Sequence, residues 1–582
     1  MPFGAHQSPR RRIVFLFLLL ASSLALITAK LYFLQIKQQR GLAERAKRQY
    51  QRVLPLTGER GTIYDRNGKE LAVSVEVASV FAQPSQIERP GEVAAKLAAI
   101  LNLPVHEISK KLSSDRSFVW IQRKIEPAQA QAITALGPPP GIYLLPEAKR
   151  YYPKQELAAH LLGFVGLDEK GLEGLEFQYD DYLGGGSREV IGYQDALGRV
   201  VYKAEEVIPA LPSYDLELTI DEVIQYTVEK ELQAAIRRSR AVAGSVIVID
   251  PQTGEVLALA NWPTFNPNYF NRYSSSARRN RATDDTYEPG STFKVIMAAA
   301  ALEERLVRPQ DIFFGENGAI QVAGLTIHDY YKFGWLTFQQ VLEQSSNVGA
   351  IKVGLLLGKR RYYNYIRDFG FGSRTGIDLP GEAAGKVRLP REWSAISLGS
   401  ISIGQEVAVT PIQLLAAVSA VANGGFLVKP YLVRAIKGPD GKVLKEFSPM
   451  ILRRVISDET SQILTAILEG AVKNGTGKHA GLEGYRVAGK TGTSQKLDRA
   501  TGHYSRQKVV ASFVGYVPVE DPRLAILVLI DEPQIFFWGG SIAAPVFREV
   551  AQEALKYLKV PPVQKAGVQL VKRVSHEARR LD

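Results

Sequence analysis

Glu288-Pro289-Gly290-Ser291-Thr292-Phe293-Lys294-Val295, running on into the alanine-rich stretch from Ile296 to Glu304, decides how this chain is read. Pro289 and Gly290 interrupt the chain, and the apolar run behind them predicts a helix with Ser291 at its start. Residues three apart share a helix face, so Lys294 projects beside the Ser291 hydroxyl. The positive end of the helix dipole favours negative charge developing there. A hydroxyl beside an amine pairs a nucleophile with a base. A lysine amine of ordinary pKa, about 10.4, is protonated at neutral pH, so the base role demands burial or cationic neighbours. Alone, the pair says little: Ser505-Arg506-Gln507-Lys508 repeats the spacing in a polar stretch. A serine at a helix start is also a common N-cap.

Two further polar motifs follow in order, Ser345-Ser346-Asn347 and Lys490-Thr491-Gly492-Thr493. Ser345 offers a hydroxyl able to relay protons, Asn347 an amide that donates and accepts, and Lys490 a second cation able to hold a carboxylate. Gly492 permits close approach of a substrate backbone to its strand. Each has a plainer reading as a turn cap or a solvated strand residue. All three together make the plain readings hard to sustain.

Composition agrees with oxygen-based chemistry. The chain has 582 residues, 46% hydrophobic and 23% charged, which implies several packed domains rather than disorder. It contains no cysteine, which excludes thiolate nucleophiles, disulfides and cysteine metal sites. The histidines (His6, His106, His160, His328, His479, His503, His576) show no ligand spacing, so no metal or cofactor is expected. A net charge of +13 suits anionic lipid as well as nucleic acid, but no nucleic-acid motif accompanies it, so nucleic acid is not expected as a partner.

Ile13 to Ala29 is uncharged and mainly apolar, and apolarity resumes from Leu31 after Lys30. A single transmembrane anchor over 13–34 is expected, with Lys30 snorkelling. Arg10, Arg11 and Arg12 precede it, but Lys37, Arg40, Arg45, Lys47, Arg48 and Arg52 outnumber them behind it. The large C-terminal part is therefore placed outside the cytoplasm on chemical grounds, with 1–12 as a cytoplasmic arm. A hairpin is expected from Thr62 to Val75, and short helices from Gly91 to Leu101 and Pro127 to Leu136. Beyond Pro209-Ala-Leu-Pro212 the elements lengthen, with a helix at Ile220 to Arg237 and strands at Ala243 to Ile249, Glu255 to Ala260, Val509 to Val517 and Leu524 to Asp531. A closing helix is expected from Ala544 to Leu558. Strands at both ends of a helix-rich middle predict an antiparallel sheet built from distant segments. The expected division is an anchor, a pedestal at 35–212, a catalytic domain at 213–558 and a basic tail at 559–582.

Ser291-x-x-Lys294, Ser345-x-Asn347 and Lys490-Thr491-Gly492 form the signature of penicillin-binding proteins and class A β-lactamases. Arg60-Gly-Thr-Ile-Tyr-Asp-Arg-Asn-Gly68, Tyr151-Tyr152-Pro153, His160-Leu-Leu-Gly-Phe164, Thr375-Gly-Ile-Asp-Leu-Pro-Gly381 and Thr410-Pro-Ile-Gln-Leu414 extend the likeness over nearly the whole chain. It resembles the class B penicillin-binding proteins, and Leu71 to Val75 with Arg279-Asn280-Arg281 are similar to the division-specific transpeptidase. The resemblance implies an α+β fold: a transmembrane helix, an elongated mixed α/β pedestal, and a serine β-lactamase-like transpeptidase domain with an antiparallel sheet and a helical subdomain. It implies Ser291 as acylated nucleophile, Lys294 as base, Ser345 and Asn347 in proton transfer, and Lys490, Thr491, Gly492 and Thr493 in substrate binding. The backbone N–H groups of Ser291 and Thr493 would form the oxyanion hole. Implied partners are peptidoglycan stem peptides, β-lactams as inhibitors, a SEDS-family glycosyltransferase and bitopic division proteins, at the bacterial cytoplasmic membrane with the catalytic domain outside. Ser402-Ile-Gly-Gln-Glu406 departs from the Gly-Tyr-Gly form associated with many enterobacterial division enzymes. An elongation-specific or sporulation-type transpeptidase therefore stays open, as do a same-fold hydrolase and a sensor.

Overall fold

A computed structural model describes residues 9–194, 200–208, 212–497, 503–535 and 538–562. The expected tail therefore lies outside the described residues from 563 onward, as do residues 1–8 of the arm and 209–211 of the interdomain boundary. The N-terminal helix, Pro9–Tyr32, widens into a π-turn at Phe33–Lys37, and none of its residues is buried. It is long and apolar enough to cross a membrane.

Two compact units follow from the packing, and neither is continuous in sequence. The smaller comprises Met1–Glu59, Glu76–Lys149 and Gly186–Leu211. Its core gathers Val80, Leu97, Ile108, Ile121 and Ile133. The helices Pro90–Leu101 and Pro127–Ala135 each begin with proline, whose fixed φ suits a first helical turn. The strands Gln51–Thr57, Ser187–Gln194 and Val200–Ile208 make a separate antiparallel sheet.

The larger unit holds Arg60–Val75, Arg150–Gly185 and Pro212–Asp582. The module expected at 35–212 is thus not one compact unit. The reason is burial: Ile63, Leu71, Tyr152, Leu161 and Leu175 share one apolar core with Phe293 and Val295. The hairpin is present, with Ile63 paired to Ala72, and Ile63 also lies parallel to Leu216. Arg60 and Arg150 donate from Nε to the two carboxylate oxygens of Glu176 at 2.9 and 2.5 Å, and all three side chains are almost completely buried. Asp180 adds a further carboxylate 2.6 Å from Arg60.

A five-stranded antiparallel sheet carries the larger unit, in the order Val256–Trp262, Ala243–Ile249, Leu524–Asp531, Tyr504–Val517, Ala488–Leu497. Alternate side chains point to opposite faces of a strand. Val246, Val248, Ile526 and Val528 accordingly pack with the helices Glu222–Ser239 and Gly539–Tyr557. Ile247, Ile249, Ala525 and Leu527 pack with the helices Lys294–Glu303, Pro411–Ala422 and Asp458–Lys473. Helices on both faces explain why these strands read as continuous apolar runs. The closing helix begins at Gly539, ahead of the expected Ala544, and carries Pro545 inside it, a residue that as a helix-breaker conceals the preceding turn from a sequence pattern.

Candidate active site

Ser291 lies in a 3-10 turn, Gly290–Phe293, and the α-helix proper starts at Lys294. The serine therefore precedes the helix and does not cap it. Thr292 donates its hydroxyl to Pro289 O at 2.8 Å, and Glu288 Oε1 accepts from the Glu406 N–H and the Tyr504 hydroxyl at 2.9 and 3.1 Å. Gly404 sits against the same turn, its carbonyl accepting the Gly290 N–H at 3.0 Å. A Cβ on Gly404 would come within 2.1 Å of Gly290 O, so only glycine lets the 402–406 stretch close over the nucleophile turn. Thr410 then caps the next helix through a capping box with Gln413, with Pro411 in its first turn.

Lys294 is fully buried. Its Nζ donates to Ser345 O at 2.7 Å, Asn347 Oδ1 at 2.8 Å and Ser345 Oγ at 3.3 Å. Burial pulls its pKa down to about 7, against the opposing pull of the Asp329 carboxylate. The condition for a basic lysine is thereby met by desolvation. Ser291 Oγ stands outside this set of bonds, one turn before Lys294.

Ser345 links the helix Phe338–Glu343 to the helix Asn347–Asp368 at φ +59°, a left-handed conformation that costs a non-glycine residue on the order of 1 kcal/mol. That kink aims both its carbonyl and its hydroxyl at Lys294. Ser346 caps the second helix by accepting from Gly349 N at 3.0 Å. The amide of Asn347 is fixed at both ends: Oδ1 accepts from Lys294, and Nδ2 donates to His328 O at 2.9 Å. Asp329, absent from the sequence reading, accepts from Ser346 Oγ at 2.7 Å, from Val348 N at 3.2 Å and from Asn347 N. An isolated aspartate at the end of an exposed hairpin gives no periodic or motif signal that would have marked it.

Lys490 lies on the edge strand Ala488–Leu497 and is 1% exposed. Burial, reinforced by the Lys294 charge, drives its pKa far down. Thr491 shares a 2.6 Å hydroxyl hydrogen bond with Thr476, and Thr493 Oγ1 accepts Gly539 N at 3.1 Å. A Cβ on Gly492 would lie 2.9 Å from the Thr292 methyl and 2.5 Å from Ser512 Oγ. Protein therefore fills the space the sequence reading gave to substrate, and Gly492 lets the strand lie flat against the nucleophile turn. Trp538, just before Gly539, meets Tyr330 edge-on at 4.6 Å, joining the third motif's neighbourhood to the residue after Asp329. The second Ser-x-x-Lys spacing falls at a strand start, where Ser505 Oγ accepts Lys508 N at 3.0 Å. The two spacings thus have different local structures.

Residues 244–552 match the penicillin binding protein transpeptidase domain, and residues 55–218 the penicillin-binding protein dimerisation domain. The chain belongs to the penicillin-binding protein transpeptidase family. Stage V sporulation protein D of Bacillus subtilis is 37% identical over 567 residues, covering 96% of this chain and 87% of that protein. The peptidoglycan D,D-transpeptidase FtsI of Escherichia coli is 32% identical over 549 residues, 93% of this chain and 90% of its own length. Penicillin binding protein 3 of Mycobacterium tuberculosis, solved in complex with aztreonam, superposes with a TM-score of 0.68 at 30% identity, covering 88% of this chain and 98% of that one. Within the family this is a class B, serine-type D,D-transpeptidase of the FtsI and PBP3 group, with a single-pass N-terminal anchor and an extracytoplasmic catalytic domain.

Proposed function

We propose that the protein cross-links peptidoglycan stem peptides through an acyl-enzyme on Ser291. The observation that carries this reading is the buried Lys294 amine, held by Ser345 and Asn347 one turn from the serine. Neutral Lys294 takes the Ser291 proton as Oγ attacks the penultimate D-Ala carbonyl. The N–H groups of Ser291 and Thr493 stabilise the oxyanion, and Ser345 relays the proton to the departing D-Ala amine. An amine on a neighbouring stem peptide then captures the acyl group, and Ser291 regains its proton. Lys490, Thr491 and Thr493 receive the donor's terminal carboxylate, whose charge restores a cation at Lys490. The glycine of that motif, Gly492, supports them by packing.

β-Lactams acylate the same serine. Labelling with a fluorescent penicillin tests the assignment: wild type labels and Ser291→Ala does not. Equal labelling of both would sink it, and labelling followed by rapid release of hydrolysed drug would mark a hydrolase.

We place the protein in septal wall synthesis, beside a SEDS-family glycosyltransferase and bitopic division proteins, on its likeness to FtsI. A sporulation role is the second reading, favoured by the 37% identity to stage V sporulation protein D. Depletion in growing cells separates them: filaments support the septum, normal division with defective spores supports the alternative, and round cells would point to elongation.

A further inference from the structure

We propose that Asp329 is a positioning residue of the acylation step, holding Ser345 and Asn347 where Lys294 meets them. This rests on the Ser291 and Lys294 reading above. Asp329 follows the hairpin of Ala319–Val322 and Leu325–His328, and its own N–H is tied to Gly318 O at 2.9 Å. Its carboxylate collects the Ser346 hydroxyl and the N–H groups of Asn347 and Val348. The preceding carbonyl, that of His328, takes the Asn347 side-chain amide. One dipeptide therefore sets both the backbone and the side chain of Asn347, and through them the oxygen that receives Lys294. An ordinary helix cap satisfies backbone donors only, and Ser346 already performs that task here.

The carboxylate also acts through space. Among the described residues the charged group that bears on Lys294 is Asp329, which favours its protonated form against the desolvation that opposes it; the nearby Lys490 amine is itself pushed towards neutrality by burial and by the Lys294 charge. Removing the Asp329 charge lets Lys294 lose its proton at lower pH.

The test measures the second-order rate of penicillin acylation against pH for the full chain, with a melting curve for each variant. In Asp329→Asn the plateau rate falls about tenfold, as for loss of one charge-assisted hydrogen bond. The pH of half-maximal acylation falls by roughly one unit. Ser346→Ala keeps the carboxylate, so its plateau falls while its half-maximal pH stays that of wild type. Asp329→Glu, which keeps the charge but places the carboxylate one methylene farther out, recovers the wild-type half-maximal pH. A folded Asp329→Asn with an unchanged profile overturns the proposal, as does a lowered melting temperature with both plateau and half-maximal pH unmoved. A wild type that fails to acylate overturns the functional reading itself, and this proposal with it.

Discussion

The larger unit buries charge in two places and resolves it in opposite ways. At Arg60, Glu176 and Arg150 each buried guanidinium meets a carboxylate at 2.5 to 2.9 Å. For Arg60, desolvation works against the charge, but Glu176 and Asp180 outweigh it and the group is held more firmly protonated than usual. At Lys294 the direct partners are neutral oxygens, so desolvation prevails and the amine titrates near 7. Burial with a counter-ion in contact makes a clamp, and burial without one makes a base.

The largest effect that separates the two is loss of acylation in Lys294→Ala. Penicillin labelling should fall on the order of a thousandfold or more, while the melting curve stays near that of wild type, because general-base chemistry is removed and no buried ion is orphaned. Glu176→Gln reverses that pattern. It leaves two buried guanidinium groups short of charge compensation and should cost about 3–5 kcal/mol in urea denaturation, with normal acylation of the molecules that remain folded. Equal damage by both variants to both readouts would erase the distinction between clamp and base.

A smaller effect sharpens the base side of the comparison. Lys294 accepts a proton only when neutral, so acylation should rise with pH and level off above about 7, falling roughly tenfold per unit on the acid side. A rate flat from pH 5 to 9 would remove Lys294 from the base role.

The smallest effect comes from an ion pair that water reaches. Arg486 donates to both oxygens of Glu469 and is 46% exposed on its side chain. The Arg486 hydrogen bond holds Glu469 down to about 2. A depressed carboxylate contributes stability above its unfolded pKa, and that contribution disappears as pH falls through the folded value. Exposure limits it to under about 1 kcal/mol. Glu469→Gln should therefore shift stability at pH 7 by that much or less, and by progressively less as pH falls through about 2. A loss as large as that of Glu176→Gln would show that exposure does not govern these pairs.

Much of the site is legible in the residues because its rules are local. Ser291 and Lys294 are a turn apart by helix geometry, Thr410 and Pro411 announce a helix start, and the continuous apolar, β-branched runs Ala243–Ile249 and Leu524–Asp531 give the sheet. Asp329 on Ser346, Gly404 on Gly290 and Gly492 on Thr292 follow no local rule. They join segments far apart in the chain, so no window of sequence contains both partners. The same holds for 60–75 and 150–185, whose apolar residues are absorbed by a core assembled mainly after residue 212.

The sequence by itself determined which groups are available: a hydroxyl nucleophile in a chain without cysteine, two lysines, an asparagine and an apolar N-terminal helix. Only the tertiary structure decided their states. A lysine's charge in water is set by its own chemistry, but inside a protein it follows from how much solvent is removed and which charges replace it. The packing around Lys294 supplies that answer.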